Sequence, residues 1–143
     1  MTTAEVKEYL RDIQFMRERL ERLRLRRKEL HLEVSFGSMN ISGDRVMSTP
    51  ENKMEKALVK LSDRLEKIDG EAAKLTIEID DRLNKIESLE NNCYKIILFK
   101  RYSEYKSCEL IAEELNYNYN YVCTLHGDAL KALRKKINNN KTS

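Results

Sequence analysis

Apolar residues recur at alternating three- and four-residue steps over two long stretches of this chain, and that spacing leaves few folds open. Val6, Tyr9, Ile13, Met16, Leu20, Leu23, Leu30 and Val34 make the first row, broken at Arg27. Leu58, Leu61, Leu65, Ile68, Ala72, Leu75, Ile79, Ile86, Leu89, Cys93 and Ile96 make the second, broken at Arg82 beside Leu83. A heptad row puts one apolar stripe along a long helix, and its natural complement is another such stripe. Leu10 widens the first stripe. Between the rows, Phe36 to Pro50 carries Gly37, Gly43 and Pro50 among polar residues, which reads as a loop. Ser48 or Thr49 suits the N-cap of the second helix, with Pro50 at its first position. The loop is long enough to reverse the chain, so the two rows are expected to zip antiparallel. Met39, Ile41, Val46 and Met47 within it are expected to tuck over the end of the hairpin, a partner-binding tip being the other reading. The second pattern outlasts the first, to about Arg101, and Asn91-Asn92 marks a break between coil and head.

Composition agrees with helices and a solvated surface: 36% of the 143 residues are charged, 7% are aromatic, and proline occurs once. No apolar run is long enough for a membrane helix, so no membrane partner is expected. The start, MTTAEVKEYLRD, lacks the apolar core of a signal peptide, which points to the cytoplasm. Cys93, Cys108 and Cys123 are odd in number and lack CxxC spacing, so they read as reduced thiols, not as a disulfide frame or zinc site. Asp80-Asp81 has no second carboxylate cluster to work with. His31 is expected at the edge of the coil, and His126 as a partly buried packing residue. With no phosphate loop and no nucleophile–base pair, the sequence gives no reason to expect an enzyme, a cofactor or a metal.

The net charge of +3 decides little, but its distribution is informative. Arg17, Arg19, Arg22, Arg24, Arg26, Arg27 and Lys28 face only Glu18 and Glu21 over their stretch, acids prevail from Glu51 to Glu90, and the segment from Cys93 onward is basic again. Such alternation suits a protein that meets a polyanion with some surfaces only. The Arg17–Lys28 stripe is read as a solvated face paired with the acidic second helix; contact with DNA or an acidic partner is the alternative.

Ser107 to Ile137 reads as two helices and a tight turn. Ser107 suits an N-cap, and Leu110, Ile111 and Leu115 are expected on one inward face. Ala112 is small enough for a crossing helix to approach. Asn116 tolerates the left-handed backbone that ends a helix, and Asn118 caps the next, which turns Val122, Leu125, Ala129, Leu130 and Leu133 inward. This is the helix-turn-helix plan, whose second helix enters a major groove. On it, Tyr119, Asn120, Cys123 and Thr124 lie where bases are read, since asparagine pairs bidentately with adenine and threonine meets a thymine methyl. Asn118 is expected to cap and to meet a phosphate. Lys106, Lys131, Arg134 and Lys135 are expected phosphate contacts, which position without specifying. Tyr117 and Tyr121 are left open between ring-inward packing and base contact. Gly127 on the same helix is read as room for the groove wall or another helix.

The segment NYNYNYVCTLHGDALKAL resembles the end of the DNA-binding domain in the fourth conserved region of bacterial sigma factors, with Asn118 at the capping position and Val122 at the buried valine. Asn116 departs from it, where those domains usually carry glycine, and at Leu125-His126 the apolar residue is shifted by one. RYSEYKSCELIAEELNYNYNYVCTLHGDALKAL and DRVMSTPENKMEKALVKLSDRLEKI together resemble small phage and prophage late-gene transcription regulators of the RinA/ArpU type. The resemblance implies a regulator of late-gene promoters that binds double-stranded DNA; because a lone head of this size binds DNA weakly, RNA polymerase or a second copy of the chain is expected to supply the missing affinity. A small terminase-like DNA-packaging adaptor and a coiled-coil assembly protein without a nucleic-acid role are the competing classes. The expected architecture is all-α: a long antiparallel hairpin over 1–90 with its loop at 36–50, a sigma region-four-like helix-turn-helix over 91–137, and a disordered tail over 138–143.

Overall fold

The structure is a computed structural model that describes residues 1–41 and 50–142, without the side chains of 36–41, 50, 51, 141 and 142. The fold is all-α, with no strand among the described residues. Helix α1 spans Thr3–Ile41 and α2 Pro50–Glu87. Helix α3, Asn92–Leu98, runs on into a π turn over Phe99–Ser103. Helices α4, Cys108–Leu115, and α5, Tyr119–Thr142, follow. They form two compact units, Glu18–Thr76 and Met1–Arg17 with Ile77–Ser143. The first turns of α1 therefore belong with the helices that follow residue 91, which a division at residue 90 would keep apart.

In the Glu18–Thr76 unit the heptad positions face inward. Leu20 and Leu30 are buried, while Leu23, Val34, Leu58, Leu61, Leu65, Ile68, Ala72 and Leu75 are half-buried. The Arg19 guanidinium meets Glu71 at 3.1 Å and Arg27 Nε meets Asp69 at 2.8 Å. Numbers rise on α1 as they fall on α2, the antiparallel sense. The gap in the first row is thus occupied by a guanidinium that reaches across to a carboxylate. Exposed pairs of this kind contribute about 0–1 kcal/mol each, so the apolar stripe carries the unit. Arg24 pairs with Glu21 and Arg26 with Glu29 along the helix, so much of the basic stripe is answered by the chain's own acids.

Helix α1 continues to Ile41, past Phe36 where the loop was expected to begin. Each residue added to a long helix gains a backbone bond, and Gly37 costs only about 1 kcal/mol against that. Val46 and Met47, and the side chains of Met39 and Ile41, lie outside the described residues.

In the other unit, Val6, Leu10 and Ile13 of α1 are fully buried, as are Ile86 of α2 and Ile97 and Leu98 of α3. The chain breaks where the paired asparagines stand: Asn91 caps α3, its Oδ1 accepting from the Cys93 and Tyr94 amides at 2.9 and 3.3 Å. The heptad register ends with this break, which is why Ile96 is 43% exposed while Ile97 is buried. The gap at Arg82 has the same logic as that at Arg27. Arg82 donates to the Tyr9 carbonyl at 2.6 Å, lies 3.6 Å from Asp12, and sits 4.3 Å above the Tyr9 ring centroid.

The π turn closes through the Glu104 amide and the Phe99 carbonyl, and buries Tyr102 and Ser103. Tyr105 then adopts φ 61°, a left-handed conformation that costs a side-chain-bearing residue roughly 1–2 kcal/mol. Arg17 supports it, donating to the Ser103 carbonyl at 2.6 Å, the Ser103 hydroxyl at 3.1 Å and the Tyr105 hydroxyl at 3.2 Å.

Helix α5 continues into the 138–143 segment expected to be disordered, as far as Thr142, the last described residue. Two contacts favour the extra turn. Ile137 is 4% exposed, and Asn138 accepts from the Met1 ammonium at 3.0 Å and donates to the Met1 carbonyl at 3.3 Å.

Leu30→Ala removes a side chain that is 1% exposed, and the expected loss is roughly 2–5 kcal/mol in a denaturant or thermal melt. Leu25→Ala, at a position 53% exposed, should stay within about 0.5 kcal/mol.

Candidate nucleic-acid interface

Ser107 is extended, and its Oγ accepts from the Leu110 amide at 3.2 Å, starting α4. Cys108, Ile111, Ala112 and Leu115 turn inward, the i, i+3, i+4, i+7 set. Leu110 does not join them. It lies about 100° round the helix from Ile111 and is 41% exposed, which corrects its inward placement. Helix α4 ends at Asn116, with φ 55° and ψ 43°. The Tyr117 amide reaches back to the Ala112 carbonyl at 2.9 Å and the Asn116 amide to Glu113 at 3.3 Å, which satisfies carbonyls the helix end would leave bare. Asn118 Oδ1 then accepts from the Asn120 amide at 2.9 Å, and the Asn118 carbonyl receives the Val122 amide at 3.0 Å. Ala112 joins Ile97, Ile111, Val122 and Leu125 in one buried cluster.

That packing decides which face of α5 meets solvent. Val122, Ala129, Leu130, Leu133 and Ile137 are buried, with Leu125 at the margin. Tyr119, Asn120, Cys123 and Thr124 are all exposed, and they fall within the first two turns. The Thr124 hydroxyl donates to the Asn120 carbonyl at 3.0 Å, so its lone pairs and methyl remain for a ligand. Tyr117 and Tyr121 meet edge to face with centroids 5.3 Å apart, and at 38% and 51% exposure neither ring is packed inward.

The cations expected at phosphates divide into two groups. Lys131 and Lys135 are exposed and Arg134 is half-buried, all on α5. Lys106 is engaged elsewhere: its ammonium lies 2.7 Å from Glu114 and 3.4 Å from Glu104, and Lys100 holds the same Glu114 at 2.8 Å. The Glu114 hydrogen bond raises the Lys106 pKa, and the two lysines lower that of Glu114. A phosphate would have to displace a carboxylate there. Lys136 donates to the Ser88 carbonyl, which spends it on the fold.

Behind the exposed face lies a pair that spacing did not reveal. Tyr102 and His126 share a hydrogen bond of 2.7 Å, with ring centroids 5.6 Å apart. Burial pushes the histidine down to about 4, helped by the cations of Arg101, Lys7 and Arg11, and pushes the tyrosine up to about 12. His126 is therefore a neutral packing residue near pH 7. At Gly127 a Cβ would meet nothing within 4 Å, so of the two expected reasons for the glycine, close approach of another helix is not met within this chain.

Among the described residues no cluster of histidine, cysteine or carboxylate side chains could hold a metal ion, and no helix is long and apolar enough to cross a membrane.

Two outcomes follow from this geometry. A histidine lowered from 6.5 to about 4 takes up its proton more readily when unfolded, so its contribution is complete above pH 6.5 and is lost as pH falls toward 4. Melting temperatures over that range should fall less steeply for His126→Leu than for the parent chain. Gly127→Ala should raise stability by about 1 kcal/mol, read from the same melts.

Comparison of the chain with family models, curated proteins and solved structures gives no match.

Proposed function

We propose that this protein binds double-stranded DNA through the exposed face of α5 and regulates transcription. The observation that carries the reading is the pairing of turn and face. A left-handed Asn116 and a capping Asn118 join two helices over one buried cluster, while Tyr119, Asn120, Cys123 and Thr124 stay in solvent at the start of the second. A helix set this way presents its N-terminal residues to base edges, the docking of helix-turn-helix proteins. Lys131, Arg134 and Lys135 follow on the same helix as the phosphate contacts. The resemblance to phage and prophage late-gene regulators supplies the finer proposal: the DNA is a late-gene promoter, with RNA polymerase or a second copy of the chain completing the complex in the host cytoplasm.

The test is a duplex selection with the purified chain, followed by binding curves at several salt concentrations on selected and scrambled duplexes. Asn120→Ala should cost on the order of 1–3 kcal/mol at the selected site and blur sequence preference. Lys131→Ala should weaken every duplex about equally and flatten the salt dependence by roughly one unit of slope. Equal behaviour of the two variants, or no effect from either, would remove α5 from the groove and the reading with it.

A further inference from the structure

The unit that holds α3 to α5 also contains a cleft lined by none of the residues named on α5. It measures about 460 Å³ and is walled by α1, the π turn and Tyr105. That size falls within the range of small-molecule sites. Arg11 and Arg101 bring guanidinium groups to the cleft, and Phe15 and Tyr105 bring rings that stay open to solvent, 64% and 40% exposed. Gln14 adds an amide that both donates and accepts. We propose that this cleft binds a nucleotide unit, its base stacked on Phe15 and Tyr105 and its phosphate held by Arg11 and Arg101.

Three observations support the assignment. The first is the conformation of Tyr105. A non-glycine residue at φ 61° is retained where its surroundings hold it, and such residues cluster at ligand sites. Here Arg17 holds it by a bond to the hydroxyl, with the guanidinium 5.9 Å from the ring centroid. The ring is therefore set in place before any ligand arrives. The second is charge. Glu8 on the cleft wall pairs with Arg11 at 3.4 Å, whereas Arg101, which donates to the Lys106 carbonyl at 3.4 Å and lies 5.8 Å from the Tyr102 ring centroid, meets no carboxylate among the described residues. Two guanidiniums against one carboxylate leave the cleft positive, and guanidinium groups suit phosphate oxygens. The third is the combination itself. An acidic peptide would use the arginines and leave two solvent-open rings with nothing to cover them, whereas a base with its phosphate uses both. Aromatic stacking of this kind takes any base, because every base has a flat face.

The experiment titrates the full ¹⁵N-labelled chain with dAMP, a short single-stranded oligodeoxyadenylate, inorganic phosphate and polyglutamate. The Arg11, Phe15 and Tyr105 amides should shift with the first two. Full affinity for dAMP alone identifies a free nucleotide as the source, and tighter binding of the oligomer identifies a strand. Phe15→Ala should weaken binding about tenfold. Tyr105→Asn gives up the Arg17 bond for a residue suited to left-handed backbone, and should stay cooperatively folded in a thermal melt and lose affinity to a similar degree. Phosphate or polyglutamate moving the same amides as strongly as dAMP would overturn the base-stacking assignment. So would unchanged binding by Phe15→Ala, and the absence of any shift would remove the site. None of these readouts passes through α5, so they stand or fall apart from duplex binding.

Discussion

The arrangement of α4 and α5 depends on how the chain leaves the π turn, and one guanidinium fixes that exit. Arg17 takes the Ser103 carbonyl, the Ser103 hydroxyl and the Tyr105 hydroxyl together. A planar guanidinium offers several donors in a rigid fork, so a single side chain can hold three acceptors whose relative positions are then set. The widened turn would otherwise release a partly buried carbonyl and a left-handed tyrosine, both unfavourable. From this anchored exit the chain needs only a few residues before Ser107 caps α4. The positions of α4 and α5 thus depend on the fourth turn of α1, far away in sequence. Arg82 works alike near the other end of the same stretch, on the Tyr9 carbonyl. Arginine at these places supplies backbone partners as well as charge.

What was legible in the sequence was what is local or periodic. Ser107, Asn116 and Asn118 act on amides and carbonyls within five residues of themselves, so their types alone gave the helix ends. The stripes from Val6 to Val34 and from Leu58 to Leu89 repeat often enough that single exceptions could not hide them. Misplacement came where a short helix gave too few turns to fix its phase, as at Leu110, or where a break reset it, as at Ile96. Contacts between distant residues left no trace in spacing. Tyr102 and His126 are ordinary residues until the fold sets them 2.7 Å apart, and nothing about Asn138 announces Met1. Lys106 illustrates the same limit for charge. It is an expected phosphate contact, but Glu114 stands one full α4 length away in sequence and 2.7 Å away in space.

The basic stripe on α1 shows why counting charges misleads. Seven basic residues between Arg17 and Lys28 look like a nucleic-acid surface. Arg17 is taken by Ser103, Arg19 and Arg27 by carboxylates of α2, and Arg24 and Arg26 by neighbours on α1. Each exposed pair is weak, so a polyanion could compete for these groups, but it would gain only the difference between two partners. Among the described residues, Lys131, Arg134 and Lys135 on α5 form no such ion pair. Under the proposed reading these three would therefore give more net attraction to phosphate per charge than the denser stripe does.

That count also sets a limit on what α5 can do alone under the proposed reading. Three phosphate contacts give a salt slope of roughly −2.7 on duplex DNA, where strongly binding proteins use about 6–10. Base contacts from Asn120 and Thr124 add specificity more than affinity, since each good bidentate pair discriminates by only about 1–3 kcal/mol. A single head of this kind binds a promoter weakly and exchanges quickly. Linking a second binding surface makes the next contact intramolecular and raises avidity by factors of about 10² to 10⁴ without any new base contact. The Glu18–Thr76 unit holds none of the residues assigned to DNA. Reading DNA and gaining affinity for it are on this account separate tasks, so a change in the Glu18–Thr76 unit should alter how tightly a promoter is held without altering which promoter is chosen.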